Sequence, residues 1–183
     1  MRLSWLSAAG AGVLVAASGS AHAVQYYSAE QVQKALFPAA AEFRAKPFLL
    51  TEAQRDAIAK KAGARVREAQ VRLWEARDAQ GALLGYLMID EVTGKHEYIT
   101  YALALSAQGQ VAGLEIMDYR ESYGGQIRDP RWRGQFVGKG SGDALQVDKD
   151  IKNISGATLS SVHVTDGIRR LLATFELAVK TGG

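Results

Sequence analysis

Apolar residues recur with helical spacing in three parts of the chain. A capping-box sequence begins at Ser28, and the helix that it opens should run until the stop at Pro38. A second helix should begin after Thr51 and end at Gly63, with four residues facing inward: Ala53, Ala57, Ile58 and Ala62. The last helix should begin near Ser161, and its buried stripe has spacings of three and four: Val164, Ile168, Leu171, Leu172, Phe175 and Val179.

Between the helices the periodicity changes to the alternation typical of strands. Four such segments follow one another: 71–76, 83–92, 98–105 and 111–119. Short turns join these segments, which predicts an antiparallel sheet. Residues 121–142 are richer in Gly, Arg and aromatic residues and should form a loop with one short helix. The prediction is a single α+β domain, in which N-terminal helices precede an antiparallel sheet and a C-terminal helix packs on it.

The first 23 residues have the pattern of a cleaved signal peptide. Arg2 precedes an apolar stretch, and Ala21-His22-Ala23 forms an A-x-A cleavage site. A membrane anchor is the alternative, but residues 6–17 are fewer than the roughly 20 that a spanning helix needs. We therefore expect residues 1–23 to be removed on export to the periplasm, with residues 24–183 forming the mature domain.

Composition excludes several classes of protein. The chain has no cysteine, which rules out disulfides, thiol catalysis, Cys-ligated iron–sulfur clusters, zinc ribbons and c-type haem. Three histidines leave little for a metal site, and none is predicted. The 22 basic and 19 acidic residues are interspersed, so neither nucleic acid nor an anionic membrane is indicated as a partner.

The segment 154–161, Ile-Ser-Gly-Ala-Thr-Leu-Ser-Ser, lies just before the last predicted helix. Small residues surround Thr158, and a helix start offers unpaired N–H groups and a positive dipole that favour a phosphate. The alternative is an ordinary helix entry, capped by Ser155, Ser160 or Ser161. The physical pattern alone leaves both readings open.

Ser155-Gly-Ala-Thr158 resembles the flavinylation motif of the FMN-binding domain family. Residues 119–125, Tyr-Arg-Glu-Ser-Tyr-Gly-Gly, and residues 132–139, Trp-Arg-Gly-Gln-Phe-Val-Gly-Lys, are similar to the family's acidic Gly-containing loop and its Q-F-x-G-K element. Gly94-Lys-His96 and residues 161–167 resemble segments of the free-standing exported members. Lys152 departs from the pattern, because many members have an acid there.

The resemblance implies covalent attachment of FMN to Thr158, through a phosphoester formed by a flavin transferase. The family includes exported subunits of sodium-translocating NADH:quinone reductase and of the Rnf complex. The other motif residues implied to contact the cofactor are Ser155, Gly156, Ala157, Ser160 and Ser161. The implied partners are the transferase and redox proteins of the membrane or envelope.

Further candidates surround the motif in sequence. Glu121, which matches the loop acid, can orient backbone or accept from the ribityl chain. Tyr123 can stack on the flavin ring, or pack as an ordinary rim residue. Gly124 and Gly125 suit a loop in which the backbone must approach a ligand or adopt positive φ, although a plain turn is also compatible. His163 can contact the flavin or transfer a proton, or be structural.

A second set of residues is more simply explained by packing or solvation. Trp132 can stack on the ring but is expected to be buried, and His96 is expected to be structural. Five cations are candidates for stabilising reduced flavin, each with surface solvation as the alternative: Arg120, Arg128, Arg131, Arg133 and Lys139.

The resemblance implies an FMN-bearing electron carrier rather than an enzyme with its own substrate pocket, since flavin itself supplies the redox chemistry. The alternatives are a flavin-dependent reductase of a small organic acceptor, and a non-redox envelope module that retains the fold.

Overall fold

The structure, a computed structural model, describes residues 24–180. The predicted signal peptide, residues 1–23, lies outside the described residues. The strands are β1 Val24–Gln25, β2 Glu42–Ala45, β3 Phe48–Leu49, β4 Gln70–Arg77, β5 Leu83–Thr93, β6 Tyr98–Ser106 and β7 Val111–Tyr119. The α-helices are α1 Ala29–Leu36, α2 Glu52–Ala62, α3 Pro130–Arg133 and α4 Thr158–Thr174. Short 3-10 segments flank α3, and a π-helical turn, Phe175–Val179, extends α4.

The strands described form an antiparallel sheet. Its order is β1-β7-β6-β5-β4-β2, and β3 also pairs with β4. The four strands expected from alternation are β4 to β7, so that prediction is confirmed, as is the α+β fold with helices before the sheet and a helix after it. The three strands that the sequence did not indicate have only two to four residues each.

Two of the predicted helix starts are confirmed in detail. Ser28 and Thr51 each accept a hydrogen bond from the N–H three residues on, and complete a capping box. Gly63 ends α2 in the left-handed conformation, with φ +61°. The inward placement of Ala53 and Ala57 is wrong, because both are exposed and α2 packs through Ile58 and Ala62.

Helix α4 lies directly on the sheet. Its buried residues include the predicted stripe from Val164 to Phe175, whereas Val179 is half-buried. A Cβ at Gly167 would come within 2.3 Å of the Tyr101 hydroxyl. Helix and sheet can therefore approach this closely only because the residue is glycine. The opposite face of the sheet packs around Val32 of α1.

A search of residues 24–180 found no helix that is both long enough and apolar enough to cross a membrane.

Candidate functional site

The motif 155–158 leads into α4. Thr158 is the first residue of the helix, three residues earlier than predicted, and it is exposed together with Ser155 and Gly156. Ala157 occupies the N-cap position, so within the described chain no side chain caps this end. The alternative in which a serine caps α4 is therefore wrong. Thr158 is thus exposed at the positive end of a 17-residue helix whose first-turn N–H groups have no side-chain cap.

The two serines after Thr158 point into the protein. Ser161 is fully buried, and its hydroxyl lies 2.8 Å from Asn153 Oδ1 and 2.9 Å from the Thr158 carbonyl oxygen. Ser160 is 3% exposed, and its Oγ lies 3.3 Å from the Tyr119 hydroxyl. Both were predicted to contact the cofactor, but their hydroxyls bond to the protein and hold the first turn in place.

The loop 121–125 packs against the motif. The Tyr119 hydroxyl donates to the Tyr123 carbonyl oxygen over 2.5 Å. Gly124 has φ +93°, and a Cβ there would lie 2.4 Å from Ala157 Cβ and 2.6 Å from the Tyr119 hydroxyl. Gly124 therefore has the predicted positive φ, and its close neighbour is Ala157, whereas Gly125 has neither a positive φ nor a neighbour within 4 Å of a Cβ.

Glu121 holds the turn between β5 and β6. Its Oε1 accepts hydrogen bonds from the backbone N–H groups of His96, at 2.6 Å, and Glu97, at 3.0 Å. Partial desolvation raises the pKa of Glu121, but the hydrogen bonds from the backbone of this turn outweigh it, so the pKa is lowered overall. Of the two roles predicted for Glu121, the structure supports the one in which it orients backbone.

His163 holds the same turn from α4. Its Nδ1 lies 2.6 Å from the Thr93 carbonyl oxygen and 3.1 Å from that of Gly94. The turn 93–97 is thus held by Glu121, next to the loop, and by His163, one turn into α4. His96 contributes its backbone N–H here, consistent with the structural role expected for it. The loop, the turn and the start of α4 form one connected unit.

Most of the predicted cations already have acidic partners. The pairs are Arg120 with Asp118, Arg131 with Asp129, Arg133 with Glu115, and Lys139 with Asp150. Arg128 differs: it has no ion pair among the described residues, and its guanidinium lies 3.5 Å from the centroid of the Tyr26 ring. Arg128 is therefore the cation of this group most available to a ligand at the loop.

The residues around Lys152 act through backbone. Trp132 is buried, and its Nε1 donates to the Lys152 carbonyl oxygen over 2.8 Å, which agrees with the packing role expected for it. The Lys152 N–H donates to Gln135 Oε1 over 2.7 Å, while its side chain is exposed. The residue that departs from the family pattern is thus anchored by contacts that do not depend on its side chain.

Three residues that support the motif were missed from the sequence: Asn153, Tyr119 and Gln135. Asn153 Oδ1 accepts from the Ile154 N–H and from the Ser161 hydroxyl, both over 2.8 Å. Tyr119 and Gln135 lie 41 and 17 residues from the groups they bond. The acceptor before a Ser/Thr-rich turn was a usable signal for Asn153. Tyr119 and Gln135 lie in the segments 119–125 and 132–139 that resemble the family's, although no local pattern pairs either residue with the motif.

The surface beside Thr158 has room for a phosphorylated, planar ligand. A Cβ at Gly156 or Gly125 would meet no atom within 4 Å, so open space lies above both the motif and the loop. An open recess of about 670 Å³ is lined by Ser122–Gln126, Arg128 and Asp129. Tyr123, which is 83% exposed, offers its ring to this space. An exposed hydroxyl, an uncapped helix start and an aromatic face fit FMN.

Comparison with known proteins agrees with this geometry. No curated protein matches the chain significantly. Among solved structures, NqrC of Shewanella oneidensis matches with a TM-score of 0.54 and 17% identity, over 81% of this chain and 86% of that one, which is a likeness of fold. Residues 94–173, which contain the turn, the loop and the motif, match the family model of the FMN-binding domain. This match supports membership of residues 94–173 in the FMN-binding domain family, and it indicates FMN as the cofactor.

Proposed function

We propose that this protein is an exported electron carrier that holds FMN covalently on Thr158. The observation that carries the proposal is the placement of Thr158. It is an exposed hydroxyl on the first residue of α4, with no side-chain cap beside it among the described residues. A phosphodiester formed there carries one negative charge, and the first-turn N–H groups and helix dipole stabilise that charge.

Attachment requires a flavin transferase and an activated flavin nucleotide. The Thr158 Oγ–P bond forms as the bond between the FMN phosphorus and its leaving group breaks. The hydroxyl proton is lost to the leaving group or to a base. No electrons are transferred in this step. The exposure of Thr158 gives a second protein access to the hydroxyl, and the phosphoester then prevents loss of the cofactor.

The chain's own residues hold and orient the cofactor. Tyr123 provides a face for stacking, and the open space at Gly125 leaves room for the cofactor beside the loop. Arg128 lines the same recess and would stabilise negative charge on the ring. FMN supplies one- and two-electron chemistry when bound, so the protein needs no general acid, base or nucleophile for its task.

The predicted leader supports a periplasmic location for the mature domain. In that compartment the partners would be the transferase, an electron donor in the inner membrane and an oxidoreductase of the envelope that accepts electrons. An organic cofactor suits a redox protein that has no cysteine for a cluster or a c-type haem.

The proposal is tested by co-expressing the chain with a flavin transferase and measuring intact mass and flavin absorbance after denaturation. Wild type should gain the mass of one FMN less one water, with the signal peptide removed, and Thr158→Ala should gain none. Leu159→Ala is the matched control, because it truncates an exposed side chain next to Thr158 and leaves every hydroxyl of the motif in place. Equal labelling of Thr158→Ala and wild type would refute the proposal. Absence of labelling in every variant would favour the non-redox module.

A further inference from the structure

A second cavity, distinct in its lining from the recess at residues 122–129, lies on the α4 side of the sheet. It has a volume of about 640 Å³ and lies between α4, the strands β4 and β5, and residues 64–68, which link α2 to β4. Cavities of this size are typical of sites for small molecules. None of the motif residues 155–158 lines it, and it shares no lining residue with the recess beside Tyr123 and Arg128.

The floor of this cavity is apolar. Leu50, Val71, Val92 and Leu171 line it, and all four belong to the main core. They retain 7–9% exposure, whereas the centre of the same core, such as Leu103 and Ile168, has none. The residual exposed area opens onto the cavity. A ligand with an apolar body would remove this area from water.

The inner charges of the cavity are already neutralised. Asp90, which accepts a hydrogen bond from the Tyr101 hydroxyl, forms an ion pair with Arg170. Asp166 pairs with Arg169. Neither acid therefore repels an anion strongly, and neither arginine of these pairs needs another partner.

The rim has a positive excess. Arg65 and Arg67 lie on the linker and form no ion pair within residues 24–180. The side chain of Arg67 makes a 3.4 Å contact with Thr93 Oγ1, and Glu68 is the acid beside it. The strand residues Arg72 and Glu91, which also line the cavity, offset each other in charge. The two guanidinium groups of Arg65 and Arg67 outnumber the carboxylate of Glu68. The excess positive charge can bind an anionic group at the mouth of the cavity.

We propose that this cavity binds a small molecule with an apolar body and one carboxylate or similar anionic group. The body would lie on the apolar floor and the anion would contact Arg65 and Arg67. His163 lines the cavity while its Nδ1 holds the turn 93–97, so an occupant would adjoin the unit that positions the loop beside Thr158. The proposal does not depend on attachment of FMN.

The test is isothermal titration calorimetry of the full chain with 2-naphthoate, and with 2-naphthylmethanol as the uncharged analogue. One saturable site is expected for the acid. Arg65→Ala/Arg67→Ala should weaken it at least about tenfold, because each guanidinium lost removes a charge-assisted contact. The uncharged analogue should bind wild type at least about tenfold more weakly than the acid.

Two controls separate this site from the rest of the molecule. Arg44→Ala removes an exposed arginine on β2 that pairs with Glu42, and it should leave binding unchanged. Thr158→Ala should also bind 2-naphthoate like wild type, so a failure of FMN attachment would not affect the result. No saturable heat, equal affinity in the double variant, or equal affinity for the uncharged analogue would each overturn the proposal.

Discussion

The contact between the loop and the motif can be tested at three glycines, which differ in the sign of φ and in the space available to a Cβ. Gly124 has φ +93°, and a Cβ would lie 2.4 Å from Ala157 Cβ. Gly156 has φ +81°, but a Cβ there would meet nothing within 4 Å. Gly125 has neither constraint. Alanine at these positions therefore separates steric clash from backbone strain.

The expected costs follow from these geometries. A non-glycine residue in the left-handed region costs about 1–2 kcal/mol, and a methyl forced into packed atoms costs about 1–3 kcal/mol. Gly124→Ala should thus lose about 3 kcal/mol of unfolding free energy, and Gly156→Ala about 1–2 kcal/mol. Gly125→Ala should stay within about 0.5 kcal/mol of wild type.

Urea unfolding followed by circular dichroism measures these differences. With a slope of about 2 kcal/mol per molar urea, Gly124→Ala should shift the midpoint by about 1.5 M. If Gly124→Ala is no less stable than Gly156→Ala, the close approach to Ala157 is not present. If it matches Gly125→Ala, both the approach and the strain are absent, and the loop does not form a unit with the motif.

Three further predictions concern the residues that support the site. The pKa of Glu121 is lowered in the folded state, so its ionised form stabilises the turn 93–97 above the ordinary glutamate range, and this stability is lost as pH falls through the folded-state pKa. Glu121→Gln should therefore flatten the acid side of the stability curve measured by urea unfolding between pH 7 and 3, and an unchanged curve would contradict the role given to Glu121. Asn153→Ala should cost about 1–2 kcal/mol of unfolding free energy, because the Ser161 hydroxyl and the Ile154 N–H lose an acceptor. Amide hydrogen exchange in the first turn of α4 should also become faster. An unchanged exchange rate would contradict the role given to Asn153. Gly167→Ala should lower the thermal midpoint, since the new methyl would meet the Tyr101 hydroxyl; calorimetry that finds no decrease would show that α4 can move off the sheet without penalty.

The long elements could be predicted because their signals are local. Strands β4 to β7 carry eight to eleven residues each, and the capping boxes at Ser28 and Thr51 are complete in the sequence. The short strands β1 to β3 are formed by pairing with distant strands, so the chain carries no periodic signal for them. The start of α4 was placed too late because Ala157 caps it without a side-chain bond.

The candidate site was predicted in part. The motif and its loop residues lie together, but the sequence could not tell which hydroxyls face solvent, so Ser160 and Ser161 were grouped with Thr158 although they are buried. Glu121 and His163 contact the turn 93–97, which is 24 to 70 residues away from them in the chain. Such contacts depend on strand register and helix placement, which local patterns do not contain.

The most direct test of the central claim is to locate the attached flavin on the chain. Trypsin should cleave the co-expressed protein after Lys152 and Arg169, and release residues 153–169, which contain five hydroxyl side chains: Ser155, Thr158, Ser160, Ser161 and Thr165. Fragmentation by electron transfer should place one FMN phosphoester on Thr158. FMN found on another of these residues, or a peptide that carries none in a protein that keeps its flavin after denaturation, would contradict the account.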